Sequence, residues 1–179
     1  PVDEKAALKP LSPYAVSKLA AEEYCRTYWR AYGLGAVSLR YFNVYGPRQT
    51  GGSYSGVISI FAKALSRGEP LTINGDGNQT RDFVYVDDVV TANVNALRAR
   101  RTEGEVLNIG TGKSTSINEL SRVMRRLSGR HDVKVKYAPA RRGDIRHSCA
   151  DITMAVSRLR YKPKTRLHEG IQQVLNWFR

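Results

Sequence analysis

Along the chain, apolar positions follow two rhythms: a repeat of about 3.6, which marks a helix with one buried face, and a repeat of 2, which marks a strand. The first helix is expected from Pro13 to about Ala31, with Pro13 in its first turn and Gly33 as its stop. Ala36 to Gly46, AVSLRYFNVYG, is rich in β-branched and aromatic residues and reads as one strand. A flexible Gly51 to Gly56 loop leads into a helix over Val57 to Arg67, which ends at Gly68. LTING is a short strand, and NGDG at Asn74 to Gly77 is a turn. RDFVYV is a further strand that runs into a helix through about Ala99, and EVLNIG is the next strand. A helix follows over SINELSRVMRRLSG, where Ser116 and Glu119 have the spacing of a capping box. VKVKYAP alternates as a strand does, DITMAVSRLR is a short helix, and LHEGIQQVLNWFR is the last helix. Alternation of this kind defines an α/β protein.

Size and charge narrow this picture. With 179 residues, 41% of them hydrophobic, the chain can bury a core of its own. No apolar run reaches the roughly 18 residues of a membrane span, and nothing reads as a signal peptide. Cys25 and Cys149 lie far apart and form no disulfide framework, so a reducing compartment, the cytoplasm, is expected. The chain begins at Pro1 without a methionine, and PVDEKAALKP reads as the interior of a longer protein. The net charge of +13 is uneven: residues 1–97 hold 10 basic and 9 acidic groups, residues 98–179 hold 19 and 7. Such a field attracts polyanions, but no helix-turn-helix, zinc-knuckle or aromatic RNA-binding signature accompanies it. A solvated basic surface with a few arginines aimed at a phosphorylated ligand fits better than nucleic-acid binding.

Candidate chemistry is sparse. IGTGKST, Ile109 to Thr115, resembles a phosphate loop, yet the glycine that loop needs five places before Gly112 is Leu107, and the capping box starts the helix too late. A dinucleotide-binding G-x-G-x-x-G is also missing. His147 and Cys149 are close but lack a third ligand for zinc. Tyr14 and Lys18, four apart at the head of the first helix, lie on one helical face. A nearby ammonium favours a phenolate, which can act as a general base. With ten Tyr and nine Lys in the chain, this spacing alone decides nothing.

Its company decides more. SPYAVSKLAAE, LRYFNVYGPRQ, NGDGNQTRDFVYVDDVV, LNIGTGKSTSINEL and RRGDIRHSCAD, in that order, resemble the C-terminal portion of an extended short-chain dehydrogenase/reductase. Within that group the chain most resembles the NAD-dependent nucleotide-sugar epimerases of the UDP-glucose 4-epimerase type, and second the UDP-glucuronate decarboxylases and epimerases. The dTDP-sugar 4,6-dehydratases usually carry a different pattern. The resemblance implies the C-terminal part of a Rossmann-type doubly wound sheet plus a smaller substrate-binding lobe. Residues 1–45 would end the NAD-binding domain, and residues 46–179 would be mainly the lobe, with about 83–110 returning to the sheet. The missing first half would carry the glycine-rich turn, the acidic ribose ligand and a catalytic Ser or Thr, which explains why the Tyr14 helix lies near a chain end.

By family position, Tyr14 would be the catalytic tyrosine, and Lys18 would bind the nicotinamide ribose and hold Tyr14 ionised. Tyr41 would approach the cofactor, NAD, and Asn43 would donate to the diphosphate of a UDP-sugar substrate. Arg81 and Arg141 would clamp that diphosphate, for which forked guanidinium donors are suited. Arg142 competes with Arg141 for the role, but Arg-x-Gly-Asp is the family spacing. Asp144 would accept from the ribose hydroxyls, and Ser148 would gate the sugar pocket, its small side chain leaving room for an N-acetyl group. Gly75 and Gly77 read as turn glycines. The aromatic stripe Tyr24, Tyr28 and Tyr32, with Trp29, is typical of a core, yet the family commonly pairs through this helix, so a homodimer is expected. No nucleic-acid or membrane partner is expected. The alternative reading is a non-catalytic nucleotide-sugar-binding fragment.

Overall fold

The computed structural model describes residues 1–49, 56–100, 102–141 and 143–178. The expected loop at Gly51 to Gly56 therefore lies, apart from Gly56, outside the described residues, as does Arg142. Helix α1 runs Pro13–Tyr32, with the Ser12 hydroxyl accepting from the Ala15 N–H and Gly33 as its C-cap. Strands β1 (Ser38–Tyr41) and β2 (Asn43–Tyr45) follow, then α2 (Val57–Arg67), β3 (Leu71–Asn74), β4 (Thr80–Arg81) and β5 (Phe83–Tyr85). After these come α3 (Val86–Arg98), β6 (Val106–Ile109), β7 (Thr115–Ser116), α4 (Ile117–Ser128), β8 (Val135–Ala138), α5 (Thr153–Leu159) and α6 (Leu167–Trp177).

Two expected strands are each divided in two. The Ala36 to Gly46 run pairs in parallel with β6 as far as Tyr41, opposite Ile109, and then with β5 from Asn43, opposite Phe83. The switch falls at Phe42, whose N–H still reaches Ile109 O while the Asn43 N–H goes to Asp82 O. A Val44 N–H to Phe42 O bond makes the kink a tight three-residue turn. RDFVYV breaks at Asp82: β4 pairs antiparallel with β7, and β5 pairs with β2. Periodicity could not reveal either break, because each side of it remains extended. The NGDG turn forms, but β3 does not fold back on β4; it pairs in parallel with β8, Leu71 opposite Val135. In α4 the Ser116 hydroxyl accepts from the Glu119 N–H at 3.1 Å, as the capping pattern predicts.

Two hydrophobic clusters organise the molecule. One gathers Val84, Val89, Leu107, Ile109, Leu159 and Tyr161, from β5, α3, β6 and the α5 end. The other gathers Phe61, Leu71, Leu120, Met124, Ile171 and Val174, from α2, β3, α4 and α6. Helix α1 contributes no hydrophobic side chain to either cluster, and Glu22 is its one buried residue. Tyr24, Tyr28 and Tyr32 are exposed, and Trp29 is 38% exposed, so the aromatic stripe is not core in this chain. Its spacing of i, i+4, i+8 places it on one face, but the side of α1 that meets the strands is held by charge.

Candidate active site

Tyr14 stands in the first turn of α1, where Pro13 and the Ser12 cap fix the entry of the chain. Tyr14 is 58% exposed, and the Lys18 ammonium lies 5.4 Å from the centre of its ring. One turn further on, Glu22 meets Arg40 of β1 in a bidentate pair: Arg40 Nε and Nη2 donate to the two carboxyl oxygens, both at 2.7 Å. Arg40 Nη1 also donates to Glu4 O at 3.2 Å. Tyr14, Lys18 and Glu22 share one face at i, i+4 and i+8, so this ion pair fixes the turn of the helix on which the tyrosine and lysine stand. The carboxylate bond pushes the Arg40 guanidinium above its usual value.

Successive residues of a strand point to opposite faces, and β1 obeys this. Arg40 turns toward α1, while the Tyr41 hydroxyl donates to Asn93 Oδ1 of α3 at 2.9 Å. Tyr41 thus lines a cavity of about 510 Å³ between β1 and α3.

The other candidate residues converge. Asn43, Arg81, Arg141 and Asp144 line one cavity of about 300 Å³, walled on its apolar side by Val57, Phe61 and Ile117. Asn43 reaches it because the strand switches partner at Phe42. The Arg81 side chain, 13% exposed, donates to Asp144 and to Thr80 O, so guanidinium and carboxylate are held against each other at the cavity wall. The segment carrying Arg141 and Asp144 is strapped down beyond it: Arg146 donates through both Nη atoms to Asp76 at 2.8 Å each. Arg146 O and the Ser148 N–H then bond Thr80 N–H and O, at 2.9 and 3.1 Å. Hydrogen bonding to Arg146 holds the Asp76 carboxyl well below the usual carboxylate range. Ser148 is half-buried in this strap and does not line the cavity.

Asp82 and the Glu22–Arg40 pair escaped sequence reasoning. Asp82 stands where the polar Gln79 to Arg81 stretch meets the apolar Phe83 to Val86 run, a placement that gives no sign of its burial. Glu22, four residues after Lys18, looked like an ordinary helix-surface charge. Among the described residues no cluster of three His, Cys, Asp or Glu could hold a metal ion, and no helix is long and apolar enough to cross a membrane.

Parallel strand pairs packed with helices give an α/β fold, with a tyrosine and a lysine one helical turn apart on α1 and a cavity lined by Arg81 and Arg141 beside a strand end. The chain belongs to the NAD dependent epimerase/dehydratase family, whose description fits residues 1–110. It is 40% identical over 179 residues to the UDP-glucose 4-epimerase of Mycolicibacterium smegmatis, covering 100% of this chain and 56% of that protein. The crystal structure of UDP-glucose 4-epimerase from Thermotoga maritima with UDP-glucose superposes with a TM-score of 0.94 at 42% identity, covering 99% of this chain and 57% of that one. A Bacillus cereus UDP-glucuronic acid 4-epimerase in complex with UDP-glucuronic acid and NAD gives 0.92 at 35% identity, covering 99% and 55%. The fold is thus the C-terminal part of the Rossmann-like epimerase structure, and the chain spans little more than half the length of these relatives. NAD is the family's cofactor. An ammonium and a phenol one turn apart suit the hydroxyls and charge at its nicotinamide ribose end, and Tyr14 and Lys18 are the residues here that would hold it.

Proposed function

We propose that the protein carrying this chain interconverts UDP-hexoses at C4 with NAD. The reading rests above all on one observation: Asn43, Arg81, Arg141 and Asp144 surround a single cavity beside a strand end. Forked guanidinium donors from Arg81 and Arg141, with the Asn43 amide, would bind the diphosphate, and Asp144 would accept from the ribose hydroxyls. Arg81 is paired with Asp144, so the diphosphate would compete with that carboxylate for its donors. Tyr14 would take the proton from the sugar's C4 hydroxyl and later return it, while Lys18 stabilises the charge that develops on the tyrosine oxygen. NAD, when bound, supplies the hydride acceptor. The exposed Tyr24, Tyr28 and Tyr32 face would bury itself against a second copy in a homodimer. On the same reading residues 1–45 and about 83–110 belong to the nucleotide-binding sheet and the remainder mainly to a substrate lobe, in a cytoplasmic enzyme.

Substrate range is the test. The full-length protein, assayed by NMR with NAD, is expected to epimerise UDP-Glc/UDP-Gal and also UDP-GlcNAc/UDP-GalNAc. Ser148→Tyr should lose the acetylated pair and keep the plain one, since a buried ring is not displaced without about 1 to 3 kcal/mol of repacking. Unchanged selectivity removes Ser148 from the gate, and no turnover of either pair overturns the hexose reading. The similarity to a UDP-glucuronic acid 4-epimerase favours UDP-glucuronate as the second substrate class.

A further inference from the structure

The Gly110 to Gly112 turn, which resembles a phosphate loop in sequence, already surrounds an anion, and that anion is Asp82. Asp82 is 0% exposed. Its Oδ1 accepts from the Thr111 N–H at 2.8 Å and from the Thr111 hydroxyl at 2.6 Å. Its Oδ2 accepts from the Gly112 N–H at 2.9 Å and from the Ala150 N–H at 3.1 Å. Four donors converge on two oxygens, and a carboxylate has the capacity to accept all of them. The glycines make the approach possible: a Cβ on Gly110 would stand 2.7 Å from Asp82 Oδ2, and Gly112 has a φ of +71°.

The position of Asp82 matters as much as its bonding. It directly follows Arg81, and its carbonyl accepts from the Asn43 N–H at 3.0 Å, at the point where the strand changes partner. Ala150, which donates to its carboxylate, lies two residues beyond Ser148, whose N–H is bonded to Thr80 O. Through its backbone carbonyl and its buried carboxylate together, Asp82 therefore joins the segments that carry Asn43, Arg81 and the Arg141 to Ser148 strap. We propose that Asp82 is a positioning residue for the diphosphate clamp: by filling the nest of Thr111, Gly112 and Ala150 amides it sets the spacing of Asn43, Arg81 and the strap. Asp82 is fully buried and does not line the cavity, and Lys113, exposed beside the turn, has no part in the nest. The proposal rests on the reading of Asn43, Arg81 and Arg141 as the diphosphate site.

The test compares Asp82→Asn with the unaltered full-length protein. Asparagine keeps the shape but turns an NH2 toward N–H donors, whichever way it is placed. Amide hydrogen exchange at Thr111, Gly112 and Ala150 in the ligand-free protein reads the nest, and calorimetric titration with UDP reads the clamp. Asp82→Asn is expected to speed exchange at these amides and to weaken UDP binding by about tenfold to a hundredfold. In Asp82→Ala, added formate should enter the vacated nest and restore both readouts, a rescue that a general loss of packing would not show. Lys113→Ala should leave both unchanged. Should both Asp82 variants fail to fold, Thr111→Val removes a single donor and should weaken UDP binding by about threefold. Faster exchange with unchanged UDP affinity overturns the proposal, as does formate that restores protection but not affinity. If the unaltered protein binds no UDP, the diphosphate reading fails and this role fails with it, while exchange still reports whether the nest exists.

Discussion

The α1–β1 region and the cleft beneath the Arg141 to Ser148 strap hold their functional groups in opposite ways. In the first, Tyr14 and Lys18 stand open to solvent on a helix that adds no hydrophobic side chain to either core cluster and is fixed to β1 by the Glu22–Arg40 ion pair. In the second, four polar groups are already gathered around one cavity, backed by an apolar wall and tied down by two further ion pairs. The packing of this chain already gathers the cleft groups. The tyrosine and lysine depend on the orientation of one helix. Groups gathered in advance lower the ordering cost of binding, although a diphosphate would have to displace Asp144 from Arg81, and the geometry proposed for Tyr14 and Lys18 needs α1 held in one orientation.

That contrast can be broken most forcefully at Glu22. Glu22→Ala leaves the Arg40 guanidinium, 21% exposed, without its bidentate partner, at a cost of about 3 kcal/mol. Thermal unfolding should shift down clearly, and turnover should fall far more than UDP affinity does. Equal loss of both would mean that the two regions are one mechanical unit.

A smaller effect sharpens the other side. The Asp76–Arg146 pair is exposed, so it contributes little stability, but it pins the strap. Because the Asp76 carboxyl sits below its ordinary range when folded, its contribution is present above the unfolded value and is lost only as pH falls through the lowered one. The Asp76 carboxyl resonance should therefore titrate below the usual Asp range, and Arg146→Ala should move it up toward that range, the Asn78 N–H still holding part of the shift. A normal midpoint in the unaltered protein would show that the strap is not held at this point.

Most elements were legible because their signals are local. Pro13 and Gly33 bound α1 and Gly68 ends α2 through backbone conformation, and the Ser116 hydroxyl caps α4, all of them local effects. The strand breaks at Phe42 and Asp82 were not legible, because they arise from the choice of a distant partner strand rather than from propensity. The same holds for the site. Arg81, Arg141 and Asp144 follow from their motifs and share a cavity with Asn43, whereas the Tyr41 side chain, which strand alternation turns toward α3, lines a different one. IGTGKST was set aside as a phosphate loop for want of a glycine. What its amides do hold, a buried carboxylate 29 residues earlier in sequence, could come only from the fold.

The division between proton transfer and binding is tested most directly by measuring kcat and UDP-glucose affinity together in Tyr14→Phe and Arg81→Ala of the full-length protein. Tyr14→Phe removes only the hydroxyl and should lower kcat by about a hundredfold to ten-thousandfold with affinity nearly unchanged. Arg81→Ala should chiefly weaken binding, by about tenfold or more, because it removes a charged donor from the cavity wall. Equal losses of affinity in the two variants would contradict the account.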